Sequence, residues 1–169
     1  MKITIIKDKK HWLKMFLILM VILGVGQLFI SRYKIGLDFQ QFKCIPGYKV
    51  YLIDTMDKRL TKGKTYAFNS ERLEPIIKDG TILIKYLEGM PGDKIKIDDS
   101  EKIFVNQNQV GYGLAQAHLL SRKKEDFLGE LVLKNDSYWL MGSSPLSFDS
   151  RYWGTVRNDQ IIGRAYPIL

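Results

Sequence analysis

The chain carries one cysteine, two histidines and five prolines in 169 residues. A single thiol cannot form an internal disulfide. Cys44, His11 and His118 are too few and too scattered to make a set of metal ligands. Neither a metal nor a cofactor is therefore expected. The sequence also lacks a glycine-rich phosphate loop, an internal repeat and a low-complexity tract. It has no basic stripe interleaved with aromatics either, which argues against nucleic acid as a partner despite a formal charge of +8. Lys2, Lys7, Lys9, Lys10 and Lys14, against Asp8 alone, contribute half of that charge before the first apolar run. From Arg32 onward, 21 basic residues face 17 acidic ones, an ordinary mixed surface. The length allows one core of ordinary size and not two full domains.

The one long apolar run is residues 15–30, MFLILMVILGVGQLFI, interrupted only by Gln27. Sixteen helical residues span about 24 Å, a little under a hydrocarbon core of roughly 30 Å, and Trp12 and Leu13 extend it. The lysines on its N-terminal side predict a cytoplasmic tail over 1–14, a transmembrane anchor over 15–31 and an exported domain over 32–169. The competing arrangement is a cleaved signal peptide with Gly24 and Gly26 at the cut. The apolar run continues through Leu28, Phe29 and Ile30 beyond that site, which favours an uncleaved anchor. Cys44 does not mark a lipoprotein, because it follows Lys43 some fourteen residues past the run.

Three stretches of the exported part concentrate reactive side chains. Residues 142–165, GSSPLSFDSRYWGTVRNDQIIGRA, place Ser147, Asp149 and Arg151 at alternate positions. On extended backbone they share one face, with Asp149 and Arg151 close enough to pair and Ser147 left to present its hydroxyl elsewhere. Taken alone, S-x-D-x-R is better explained by a strand end with a surface ion pair.

Cys44 stands at a bend, with Ile45, Pro46, Gly47 and Tyr48 following it, before a strand expected over 49–53. A lone cysteine is commonly just a small buried hydrophobe. A residue at a bend, however, is presented by rigid backbone, and its N–H can serve a developing oxyanion. A second strand is expected over 60–68. Lys85 then interrupts the apolar alternation of Ile82, Leu83, Ile84, Tyr86 and Leu87 before a turn at Pro91 and Gly92. On an exposed strand such a lysine is a gatekeeper. It acts as a base only if apolar surroundings disfavour its ammonium, and a hydroxyl such as that of Ser147 would then accept from and orient the amine.

Cys44-Ile45-Pro46, the run Lys85-Tyr86-Leu87-Glu88-Gly89-Met90-Pro91-Gly92-Asp93, and 142–154 followed by Asp159-Gln160-Ile161-Ile162-Gly163 resemble the successive motifs of the type I signal peptidases (peptidase family S26). Within that family the chain is most similar to the short conjugative-transfer (TraF-type) peptidases. Residues 102–110, KIFVNQNQV, resemble the family's hairpin. The resemblance implies a mainly β fold of antiparallel sheets or a partly open barrel, with a small α insert and one N-terminal transmembrane helix. Carried over residue by residue, it puts the nucleophile at Cys44, the general base at Lys85, the lysine-orienting hydroxyl at Ser147 and a structural ion pair at Asp149 and Arg151. Ile45, Pro46 and Ile84, which flank the nucleophile and the base, are the implied substrate contacts. The chain departs from the family in having Cys at the nucleophile position, where a thiol is the better nucleophile. It also has Phe42 where many members carry an oxyanion-donating serine, which leaves the backbone N–H of Cys44 as the donor the sequence names.

The implied function is endoproteolysis at the bacterial inner membrane, with the catalytic domain on the extracytoplasmic side. The substrates would be exported precursors, in this branch a conjugative prepilin processed by hydrolysis or by head-to-tail cyclisation. Partners are then the precursor, the lipid bilayer and conjugation or secretion machinery. The alternative is a non-catalytic, membrane-anchored assembly protein of a conjugation or type IV secretion apparatus. An autocleaving repressor with a Ser-Lys pair would need a DNA-binding segment where this chain has an apolar run. Between the motifs, Leu114, Ala117, Leu120, Phe127 and Leu128 form a stripe opposite Arg122, Lys123, Lys124, Glu125 and Asp126, which predicts a helical insert over about 113–134 covering a β body.

Overall fold

A computed structural model describes residues 9–38 and 44–169. The lysine-rich residues 2 and 7 and the position of Phe42 lie outside the described residues. The apolar run is the centre of a 24-residue helix, α1 (Lys9–Arg32), about 36 Å long, with none of its residues buried in the protein. By length and composition it is able to cross a membrane. It starts earlier than the apolar run, so Lys9, Lys10 and Lys14 are helical. At its other end the chain passes without a linker into β1 (Tyr33–Leu37). Arg32 closes this junction. Its guanidinium donates to both carboxylate oxygens of Asp54, at 2.9 and 2.6 Å. Its carbonyl accepts from the backbone and hydroxyl of Thr55 at 3.0 and 2.8 Å.

The remainder is β2 (Val50–Asp54), β3 (Thr65–Asn69), β4 (Ile82–Gly89), β5 (Lys94–Ile97), β6 (Lys102–Val105), β7 (Asn108–Tyr112), β8 (Gly129–Val132), β9 (Ser137–Met141), the single-turn helix α2 (Ser150–Trp153), β10 (Val156–Arg157) and β11 (Ile161–Pro167). A seven-stranded sheet in the order β1-β2-β11-β3-β4-β9-β10 and a four-stranded one in the order β7-β6-β5-β8 hold all of these strands. Each pairing is antiparallel. The fold is thus mainly β, as expected, with one N-terminal apolar helix.

Alternation decides which faces are buried. In β5, KIKI, Ile95 and Ile97 point inward and both lysines outward. Ile95, Ile103, Leu114, Leu133, Trp139 and Met141 form one core, between the small sheet and the end of the large one. Tyr66, Phe68, Leu87, Leu140 and Ile161 form a second along the large sheet. A third, of Tyr51, Ile53, Ala67 and Ala165, lies under β1, the strand that follows α1. Full burial of a side chain of this size contributes about 1.5–3 kcal/mol. β4 obeys the same rule with one exception of chemistry. Leu83, Lys85, Leu87 and Gly89 occupy its buried positions, so Lys85 stands in a row otherwise apolar, directly opposite Tyr66 of β3.

Two expectations fail here. The insert is not a helix. It consists of two single 3-10 turns, at Ala117–Leu120 and Lys124–Phe127, followed by strand β8, which pairs with β5. Positive φ angles at Gly113, Ser121 and Gly129 break the backbone three times. The apolar stripe is nonetheless used: Leu114 and Ala117 are buried, and Leu120, Phe127 and Leu128 pack against the first core. The second failure is the extended face proposed for Ser147, Asp149 and Arg151. Residues 142–149 are a loop with a turn at Pro145 and Leu146, and Arg151 belongs to α2.

Candidate active site

Because α2 begins at Ser150, Asp149 is its N-cap, and its carboxylate accepts from the Arg151 backbone N–H at 3.2 Å. The cap, and not strand alternation, brings the two charged side chains together. Arg151 Nε and Nη2 reach the Asp149 carboxylate at 2.8 and 2.6 Å, and the Gly142 backbone N–H adds a further bond at 2.9 Å. The pair is dry, with side chains 1% and 0% exposed. The guanidinium also donates to four carbonyls, those of Tyr112, Gly113, Ser144 and Ser147, at 2.9 to 3.1 Å. Burial alone would lower its pKa. The hydrogen bonds and charge of Asp149 outweigh that, and the value lies above the ordinary one for arginine. One buried ion pair thus fixes both ends of the 142–149 loop and the turn at 112–113.

Ser147 is the residue that this loop delivers. Its side chain is buried, and its hydroxyl accepts a 2.8 Å hydrogen bond from Nζ of Lys85. Lys85 itself is 3% exposed. Among the described residues no carboxylate forms an ion pair with it. Cys44, at the bend as expected, is buried as well. Its carbonyl accepts from the Ser144 N–H at 3.4 Å. Gly142 shows how tightly this corner is built. A methyl group there would overlap the Ser147 hydroxyl and come within 2.7 Å of the Cys44 carbonyl oxygen.

Cys44 and Lys85 line one cleft of about 440 Å³, together with Leu37, Asp38, Ile45, Tyr51, Thr81, Leu83 and Ile84. Of the expected substrate contacts, Ile45 and Ile84 face this cleft, whereas Pro46 is exposed at the turn and does not. The cleft runs beside an unfilled strand edge. β4 pairs with β3 along its first five residues, but with β9 only at Tyr86, Leu87 and Gly89. On the β9 side, residues 82–85 have no strand partner among the described residues.

Sequence reasoning missed three features of this site. Gly142 gave no signal, since its constraint comes from two segments far apart in the chain. Ser150 is fully buried, and its hydroxyl accepts from the Leu140 N–H at 3.0 Å, which ties α2 to β9. Tyr51 lines the cleft with its phenol buried, and its place in the alternating KVYLI run was the only available hint.

The family described as signal peptidase, peptidase S26, matches residues 9–169. The chain is 31% identical over 96 residues to Signal peptidase I V of Bacillus subtilis, a match covering 50% of this chain and 56% of that protein. It is 29% identical over 84 residues to Probable signal peptidase I-2 of Synechocystis sp., covering 49% and 36%. These matches span about half or less of the length of both relatives. A crystal structure of a signal peptidase I from Enterococcus faecalis V583 aligns with a TM-score of 0.42 and 23% identity, covering 64% of this chain and 97% of that one. With nearly its whole length matched, the chain belongs to the signal peptidase family, peptidase S26.

Proposed function

We propose that this chain is a membrane-anchored endopeptidase of the signal peptidase I kind, with Cys44 as nucleophile, Lys85 as general base and Ser147 as the hydroxyl that orients the lysine. The observation that carries the reading is the buried Lys85–Ser147 hydrogen bond on the wall of the cleft that Cys44 also lines. Among the described residues this amine has a hydroxyl as its hydrogen-bond partner and no ion pair, the arrangement that suits a lysine oriented towards a nucleophile.

An extended precursor segment adds along the open edge of residues 82–85, so that its main chain completes the sheet and its scissile carbonyl lies over Cys44. Lys85 takes the thiol proton, and the sulfur attacks the carbonyl carbon to give a tetrahedral oxyanion, held by the backbone N–H of Cys44. Collapse breaks the C–N bond. The departing amine takes the proton from Lys85, and the acyl group stays on sulfur as a thioester. Water, deprotonated by Lys85, then releases the acid and regenerates the thiol. If the precursor's own N-terminal amine attacks instead, the product is cyclic.

The lysines at the N-terminal end of α1 orient the tail to the cytoplasm, with the catalytic domain on the far side of a bacterial inner membrane. The sequence motifs further support a conjugative prepilin as substrate and conjugation machinery as partner. The test is incubation of the purified protein with candidate prepilins, following product mass for wild type, Cys44→Ser and Cys44→Ala. Cleavage by the first two and not by Cys44→Ala is expected, and a product lighter than the linear one by one water marks cyclisation. Unchanged precursor with every form would instead support a non-catalytic assembly protein.

A further inference from the structure

Among the described residues, two buried side-chain polar atoms lack a hydrogen-bond partner: the Tyr51 hydroxyl and the Trp139 indole N–H. Among the described residues the other buried side-chain hydroxyls are satisfied. Tyr66 donates to the Arg59 carbonyl at 2.7 Å and accepts from the Thr61 N–H at 3.0 Å. Tyr152 accepts from Gln116 N–H at 3.0 Å, and Thr65 donates to the Ala165 carbonyl. A chain that pairs its interior hydroxyls this consistently leaves one unpaired at a cost in stability, which calls for a reason. Tyr51 differs from the others in location, because it lines the cleft shared with Cys44 and Lys85.

We propose that the Tyr51 hydroxyl is a specificity-determining group, donating a hydrogen bond to a side-chain oxygen of the substrate residue that enters the cleft. The inference rests on the endopeptidase reading above and deepens it. Apart from Tyr51, Asp38 and Thr81, the cleft beside the reactive pair is walled by Leu37, Ile45, Ile82, Leu83 and Ile84. The Thr81 hydroxyl already donates to the Lys78 carbonyl at 2.6 Å, and in largely apolar walls a fixed unpaired donor discriminates between substrates that can and cannot pair with it. Burial, reinforced by the charge of Asp38, pushes the Tyr51 phenol up to about 12, so it stays protonated and acts as a donor at any physiological pH. The substrate main chain has its own partners on the open edge of residues 82–85. What remains for Tyr51 is a side chain. A cleft with this donor selects threonine or serine over an apolar residue of equal size.

The test uses the full chain in detergent micelles and precursors that differ only by threonine or valine at each of the three positions before the cut. The two residues match in shape and differ by the hydroxyl. At one position the wild type is expected to cleave the threonine precursor with about tenfold higher kcat/KM, the size of an ordinary neutral hydrogen bond. Tyr51→Phe is expected to bring that ratio to about one and, by removing an unpaired polar group, to raise the Tm of the substrate-free protein. A wild type without preference at any of the three positions, or a ratio that survives in Tyr51→Phe, overturns the inference while leaving proteolysis intact. A wild type that cleaves none of the precursors overturns the endopeptidase reading, and the inference with it.

Discussion

Lys85 and Ser147 lie 62 residues apart in the chain and meet in a buried 2.8 Å hydrogen bond. Strand alternation puts the amine into an apolar row, and a loop stapled by a dry ion pair puts the hydroxyl opposite it. Neither position depends on an exposed, mobile side chain, so the geometry is set before substrate arrives.

Replacing Lys85 by Met keeps the length and apolar stem while removing the amine. Precursor processing is expected to fall by about 10²–10⁴, the range of a lost general base. Ser147→Ala leaves the amine but removes its orienting partner, and a smaller loss, about 10–100-fold, is expected by analogy with other supporting hydrogen bonds. Rates measured on one precursor, with circular dichroism to confirm folding, check both.

The Asp149–Arg151 pair predicts a stability effect of characteristic sign. Asp149→Ala strands a buried guanidinium and should cost about 3–5 kcal/mol, read as a lower Tm. The double variant Asp149→Ala/Arg151→Met removes both charges and should be less destabilised than the sum of its two singles. Equality with that sum would mean the two groups act independently.

Gly142→Ala places a methyl group against the Ser147 hydroxyl and the Cys44 carbonyl. Overpacking here should cost about 1–3 kcal/mol. Processing should fall further than this loss of stability explains, since the displaced groups belong to the proposed site. Comparing processing with the folded fraction at one temperature separates the two effects.

The junction between α1 and β1 has a pH signature. Hydrogen bonds from Arg32 hold the Asp54 carboxyl below its ordinary pKa. A carboxylate depressed in the folded state contributes stability above its unfolded pKa, and this is lost as pH falls through the folded value. Arg32→Met should therefore move the acid unfolding transition to higher pH, measured by fluorescence between neutral pH and pH 2. An unmoved transition would mean that the clamp contributes nothing to the folded domain.

Much of the architecture is legible in the order of residues because it depends on local periodicity. The alternation around Lys85 specifies a strand and its buried face within a few residues, and the apolar run specifies the helix α1. What was not legible depends on backbone breaks and on distant partners. The insert has the composition of a surface helix, yet Gly113, Ser121 and Gly129 take positive φ, and the same apolar residues reach the core from turns. Asp149 and Arg151 do pair, but through a helix cap, which an i, i+2 spacing does not distinguish from a strand face. The constraint on Gly142 and the unpaired hydroxyl of Tyr51 arise only when segments from opposite ends of the domain come together.

If Lys85 acts on the thiol of Cys44 as proposed, the chain's single cysteine allows that coupling to be measured without knowing the substrate. The measurement is the rate of alkylation of Cys44 by iodoacetamide across neutral and alkaline pH, in wild type and in Lys85→Met, followed by intact mass. If the amine assists the thiol, alkylation near pH 7.5 slows by about tenfold or more in Lys85→Met, as expected for loss of a nearby basic group. Equal rates and equal pH profiles in the two proteins would mean that Lys85 does not act on the thiol.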